Sequence, residues 1–269
     1  FCRPEKTKQV FDAIKEARPS KLYLYQDGAR PGREDDIENV KKFREIVSEI
    51  DWECEVFYKY QEENFGCDPS EFISQKWMFD KEEYGIALED DDVPSQSFFP
   101  FCKEMLERYK DDQRIGVICG MNHFDETHYN EDSYFFSKSG SIWGWATWKR
   151  NTDLWDEYYS WLDDAKLLKV LESSLLKEEY TVLIKNSTKH RLSGKAHYES
   201  ILAASLYLNN LINIIPHKNL ISNIGIGENG THASSNLKHL PREIRKIMYM
   251  KTYDLEFPLK HPKYVVENN

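Results

Sequence analysis

The sequence predicts an α/β fold, a mostly parallel mixed sheet flanked by helices, on three observations. Short apolar runs of strand length alternate four times with segments of helical periodicity before residue 120, the order that parallel βαβ crossovers produce. Two of the runs, residues 86–88 and 115–119, are apolar throughout, as strands buried on both faces are. The first of these ends abruptly in four consecutive acids, Glu89, Asp90, Asp91 and Asp92, and open α/β sheets hold their ligands at the carboxyl ends of strands.

In chain order, an opening Phe1-Cys2-Arg3-Pro4 reads as the end of a truncated strand, and Val10, Phe11, Ile14 and Ala17 then fall at helical spacing. Residues 21–26 alternate around Leu22 and Leu24 and stop at Asp27-Gly28, a strand-to-loop signal. Ile37, Val40, Val47 and Ile50 trace a second helix, and residues 54–58 a further strand. Asp68-Pro69-Ser70-Glu71 predicts a helix start, with Asp as N-cap, Pro at the first helical position and Glu three residues after the cap. That helix carries Phe72, Ile73 and Trp77 and leads into the central strand before the acids. Phe98, Phe101, Cys102, Met105, Leu106 and Tyr109 form the clearest amphipathic helix, capped by Ser95 or Ser97.

The second half is different in character. Residues 134–148 are dense in aromatics and glycine and include Trp143-Gly144-Trp145 and Trp148. Helices are expected at 166–180 and 198–208, with His197 and Glu199 at the start of the latter, then a strand at 211–215 closed by Pro216. A glycine-punctuated loop at 219–227 leads to Thr231-His232. From residue 236 the chain is basic and amphipathic, with Arg242, Arg245 and Lys246 beside Ile244, Ile247 and Met248. It reads as a packed or surface-lying helix followed by a frayed end.

Composition narrows the partners. A length of 269 residues with 40% hydrophobic and 30% charged residues suits a globular chain with a sizeable core. A formal net charge of −10 argues against a nucleic-acid backbone as partner. Aromatics at 14% exceed what a core alone needs, and their faces stack on sugars or bases. No apolar stretch is long enough to span a membrane and no signal peptide is visible. Cys2, Cys54, Cys67, Cys102 and Cys119 are an odd, scattered set without metal-ligand spacing, consistent with reduced thiols in a cytoplasmic protein. The Asn186-Ser187-Thr188 and Asn229-Gly230-Thr231 triplets match the glycosylation pattern, which is frequent by chance.

Four adjacent carboxylates repel one another unless a cation offsets them. Mg²⁺ or Mn²⁺, taking one or two carboxylates plus substrate phosphates, would do so. An acidic run by itself is an ordinary solvated turn; the apolar strand before it and the helix after it are what point to a site.

Taken together, Phe1-Cys2-Arg3-Pro4, Asp27-Gly28, Asn64-Phe65-Gly66-Cys67, the run Leu88-Glu89-Asp90-Asp91-Asp92-Val93-Pro94 with Phe98-Phe99, Trp143-Gly144-Trp145-Ala146-Thr147-Trp148 and Asn219-Leu220 with Asn223-Ile224-Gly225 resemble a bacterial nucleotide-sugar glycosyltransferase of the A fold. The likeness is to family 2 enzymes, and more loosely to N-acetylglucosaminyltransferase I. It extends to His232 and implies one domain over 1–235, with a Rossmann-like nucleotide-binding half (1–120) and an acceptor-binding half (121–235), followed by a tail (236–269). The activity it implies is metal-dependent and inverting, moving a sugar from a nucleotide-diphospho-sugar, a UDP-sugar above all, to a hydroxyl of a glycan or glycolipid acceptor.

Residue by residue, the resemblance sets Cys2, Arg3, Pro4, Asp27, Asn64 and Gly66 beside the nucleotide. Glu89 and Asp90 would face the ribose and donor sugar, and Asp91 would hold the metal, with Asp90 and Asp92 as a rival metal pair. His232 is the second metal candidate, since neutral imidazole suits Mn²⁺. An aspartate flanked by aromatics is expected as general base, but the chain reads Gly194-Lys195-Ala196-His197-Tyr198-Glu199 there. Glu199 takes that role, with His197 as runner-up; Glu199 also simply favours a helix N-terminus. Trp143, Gly144 and Trp145 would present a ring to the acceptor, and Trp148 is expected in the core. Peripheral contact with the inner face of the membrane, through the tail, is a further expectation. The alternatives are a nucleotidyltransferase or phosphate-cleaving enzyme using the same acids, and a catalytically inactive sugar-nucleotide-binding scaffold.

Overall fold

The computed structural model describes residues 3–127, 131–226 and 240–268, and over them the fold is mixed α/β. The first part runs α1 (Pro4–Ala17), β1 (Lys21–Gln26), α2 (Glu34–Val47), β2 (Glu55–Tyr60), α3 (Cys67–Phe79), β3 (Tyr84–Ala87), β4 (Asp92–Pro94), α4 (Phe98–Arg108) and β5 (Ile115–Cys119). The second runs β6 (Tyr134–Ser137), β7 (Trp145–Trp148), α5 (Lys149–Thr152), α6 (Ala165–Ser174), α7 (Lys177–Ser193), α8 (Tyr198–Leu208), β8 (Ile212–Pro216), β9 (Ile221–Asn223) and α9 (Arg242–Ile247).

The alternation of the first part produces one parallel pair, β1 with β2, in register from Lys21↔Glu55 to Gln26↔Tyr60. The main sheet has the order β3-β7-β5-β8-β6. Within it only β5 and β8 pair parallel, and the other three pairings are antiparallel. This corrects the expectation of a mostly parallel sheet. The aromatic stretch supplies β7, which inserts antiparallel between β3 and β5. The strand before the acids is therefore an edge strand rather than the central one, with Tyr84 60% exposed. The centre belongs to β5, all five of whose residues are buried, as its unbroken apolar run predicts. β4 and β9 form a separate antiparallel pair, from Asp92↔Asn223 to Pro94↔Ile221.

One face of the main sheet packs on the apolar side of α4, through Phe98, Phe101, Cys102 and Met105. The other packs on α3 and α8, through Phe72, Phe79, Ile201 and Leu202. A small third core, Phe11, Leu24, Phe43 and Val47, joins α1, β1 and α2. Each such side chain contributes roughly 1.5–3 kcal/mol on burial.

Helix ends differ from expectation where side chains find other partners. α3 starts at Cys67 with Gly66 as N-cap (φ 89°), because Asp68 is already inside the helix and faces His197. Residues 166–180 are two elements rather than one helix. Asp164 caps α6 by accepting from the Lys166 and Leu167 amides, and the Ser173 and Ser174 hydroxyls donate to the Val170 carbonyl at its end. α7 then starts afresh, with Glu179 accepting from the Leu176 amide at 2.9 Å. Ser97 stands at the N-cap of α4, but its hydroxyl turns to the Asp254 carboxylate and the Leu255 amide.

That bond belongs to the late chain, expected as an amphipathic tail with a frayed end. From residue 248 onward it lies against the domain. Leu255 and Leu259 are buried in the α4 core, Tyr253 N–H donates to the Asn219 carbonyl, and Asn268 N–H donates to the Phe136 carbonyl. No helix among the described residues is long and apolar enough to cross a membrane. Cys54, Cys67, Cys102 and Cys119 are free thiols, as read from their spacing.

Candidate functional site

The four acids lie on the turn that leaves β3 and returns as β4. β4 pairs with β9, so the turn is braced from a strand some 130 residues later: Asn223 Nδ2 donates to Asp92 Oδ1 at 2.9 Å (|i−j| 131) and lies 3.5 Å from Asp91 Oδ1. On the other side the Gly144 amide donates to Asp92 Oδ2 at 2.9 Å. Gly144 adopts φ +63°, and a Cβ there would lie 2.3 Å from Ile221, so this turn requires glycine. Gly144 thus makes a tight turn between Trp143 and Trp145, and what it presents to the acids is a backbone amide.

Asp92 is fully buried and both of its oxygens are occupied by protein donors. Burial, then the adjacent Asp91 charge, push its carboxyl well above the ordinary carboxylate range, against the opposing pull of those donors. Asp92 fastens β4 to β9 and to the Gly144 turn.

Asp90 and Asp91 turn the other way, toward Arg3. The guanidinium bridges both: Nη1 donates to Asp91 Oδ2 at 2.6 Å, Nε donates to Asp90 Oδ2 at 3.3 Å, and Nη2 pairs with Asp90 Oδ1. A fourth bond, also from Nη1, reaches the Gly225 carbonyl at 3.2 Å. Gly225 packs so close that a Cβ would lie 2.1 Å from Asp91 Oδ2. Burial works against the Arg3 charge, and Asp90 and Asp91 more than offset it. Burial likewise opposes ionisation of Asp90, but positive charge that includes Arg3 holds its carboxyl well below the usual range. Asp91 is raised, by burial and then by Asp90, with Arg3 and Lys6 opposing. Pro4, at the first position of α1, sets the helix that carries Arg3 at its N-cap.

Glu89 stands apart from these ion pairs, and no donor among the described residues reaches its carboxylate. Burial, then the charges of Glu71, Asp92, Asp91 and Asp90, push it well above the ordinary range. Glu71 was read only as a helix-start residue. It accepts from Cys67 Sγ at 3.3 Å, and burial together with the Asp68, Glu199 and Asp91 charges pushes it up to about 8. Its signal was its place one turn into α3, but a glutamate there looks like a capping partner.

Asp27, Asn64 and Gly66 do come together, but their polar groups face one another. The buried Asp27 carboxylate accepts from Asn64 Nδ2 at 2.8 Å and from the Phe65, Gly66 and Gly28 amides at 2.9, 3.0 and 3.0 Å. It clamps the loop after β1 to the loop before α3 and is not open to a base.

Glu199, in the first turn of α8, and Trp143 line one cavity of about 400 Å³. His197 does not line it. Its Nδ1 faces Asp68 at 3.2 Å, its Nε2 meets Ser193 Oγ at 2.9 Å, and its ring stacks on His190 at 3.9 Å. With both nitrogens engaged, His197 braces α3 to α8 rather than standing ready as a base. Trp145 is 2% exposed and stacks on Tyr198, so its ring belongs to the core, as does that of Trp148; Trp143 alone of the three borders the cavity. Cys2, expected beside the nucleotide, and His232, expected at the metal, lie outside the described residues.

Among the described residues no group of three or more His, Cys, Asp or Glu side chains is arranged to hold a metal ion. The oxygens of Asp90 and Asp91 do converge on one cationic group, and their chemistry suits a hard cation that takes one or two carboxylates and finds its other ligands on a substrate. No family model matches the chain, and no curated protein matches it.

Proposed function

We propose that this chain is a metal-dependent, inverting glycosyltransferase of the A fold, moving a sugar from a nucleotide-diphospho-sugar, of the UDP type, to a hydroxyl of a glycan or glycolipid. The observation that carries this reading is the pair Asp91, buried, and Asp90, half-buried, which follow β3 and converge on the Arg3 guanidinium, on a turn strapped through Gly144 to the wall of a cavity that Glu199 lines. Asp91 would hold Mn²⁺ or Mg²⁺, with Asp90 beside it. When bound, that ion neutralises the diphosphate leaving group. Asp92 keeps the turn in place, and Glu89 faces the ribose or sugar of the donor. Glu199 accepts the proton of the attacking hydroxyl at its carboxylate.

The test is release of UDP from UDP-sugars with Mn²⁺ and a panel of glycan acceptors. UDP release that is lost in Asp91→Asn supports the reading; release of pyrophosphate from a nucleoside triphosphate instead would replace it with nucleotidyl transfer. One observation favours a second reading, an inactive sugar-nucleotide binder: Arg3 already neutralises Asp90 and Asp91. Binding of UDP without any turnover is the outcome that selects it.

A further inference from the structure

The cavity beside Glu199 is poorly furnished for a bare sugar. Its walls include Leu202 and Leu206 of α8, Val117 of β5 and Ile142, with Trp143 at one side. Three polar side chains in the wall, Asn213, Ser141 and Lys138, already have protein partners. Asn213 accepts from the Val117 amide at 3.1 Å and donates to the Lys138 carbonyl at 3.3 Å; Ser141 accepts from the Trp143 amide at 3.3 Å. A saccharide carries a hydroxyl on nearly every carbon, and each one buried without a partner is penalised. An apolar body is favoured in such a space by the area it removes from water.

We infer, resting on the transferase reading, that the acceptor carries its hydroxyl on or beside an apolar group, an alkyl chain or aryl ring, which fills this cavity while the hydroxyl reaches Glu199. A volume of about 400 Å³ takes a short chain or a single ring. The acceptor class is thus a lipid- or aryl-linked glycan rather than a free oligosaccharide.

Calorimetric titration with methyl, phenyl and n-octyl β-glucosides, the last below its micelle concentration, tests this. Phenyl or octyl glucoside should bind at least about ten-fold more tightly than methyl glucoside. Ala203→Trp, which fills the cavity, and Leu206→Asn, which makes its wall polar, should each abolish the preference. Equal binding of the three glucosides, or a preference that survives both substitutions, overturns the inference. Titration of the same protein with UDP and Mn²⁺ separates the two ideas. Octyl binding without UDP binding leaves the apolar site standing and removes the transferase reading; UDP binding without an apolar preference removes this inference alone.

Discussion

Arg3 Nη1 lies 2.6 Å from Asp91 Oδ2, across 88 residues of sequence, and the same guanidinium spans Asp90. One side chain at the start of α1 therefore occupies the position that a divalent cation would take between these acids. If Asp90 and Asp91 hold a divalent ion as proposed, Arg3 and that ion compete for them.

Arg3→Gln makes that competition measurable. Removing one partner from a largely buried pair leaves the other charges exposed to mutual repulsion. The variant should lose roughly 2 kcal/mol of stability without metal and bind Mn²⁺ about ten-fold more tightly than the parent. Denaturant melts with and without Mn²⁺, and metal titration, read both effects; unchanged Mn²⁺ affinity refutes the competition.

Asp91 and Asp92 should separate cleanly by substitution. Asp92→Ala strands the Gly144 amide and the Asn223 side chain in the interior, at a cost of roughly 2–4 kcal/mol. Thermal melting should show a fall of about 5–10 °C. Asp91→Asn should melt within a few degrees of the parent and lose at least ten-fold in UDP–Mn²⁺ affinity (about 1.4 kcal/mol or more).

Glu71 gives the fold a pH signature. Its carboxyl ordinarily titrates near 4.5 and is pushed up to about 8 in the folded chain. The folded state thus keeps a proton that the unfolded state releases, so this stabilising contribution is complete below about 4.5 and is lost as pH rises through about 8. Glu71→Gln should flatten the decline in urea-unfolding stability across that window and exceed the parent at pH 9 by on the order of 1 kcal/mol. A decline of equal slope in the variant assigns it to other groups.

How far the sequence disclosed all this depends on the range of the interaction involved. The unbroken apolar run at 115–119 disclosed the central strand, because burial on both faces leaves a mark in the run itself. The strand at 84–87 carried a similar mark but lies at an edge, since its neighbour β7 comes from a stretch whose glycine and tryptophans read as loop. The acids were legible as a cluster. Which of them is fastened and which is open was not, because that is decided by Asn223 and Gly144, far away in sequence. Glu71 stayed hidden since a helix-start glutamate looks the same whether it faces water or a cleft.

Glu199 and His197 sit two residues apart and make opposite predictions. If Glu199 takes the acceptor proton, Glu199→Gln should lower UDP-sugar transfer at least 100-fold with UDP affinity unchanged, the scale of a lost general base. His197→Gln should leave the rate within a few-fold and lower the melting temperature, because it loosens the Asp68 brace between α3 and α8. Comparable losses of rate in both would shift the base assignment.

The pairing of β4 with β9 also bears on how this protein is made. The acidic turn is synthesised some 130 residues before the strand that braces it, and that strand is itself held by Tyr249, whose amide donates to Asn223, and Tyr253, whose amide donates to Asn219. A nascent chain that stops before Tyr253 lacks part of the brace on this turn, so the acidic turn reaches its final form only after Tyr253 has emerged.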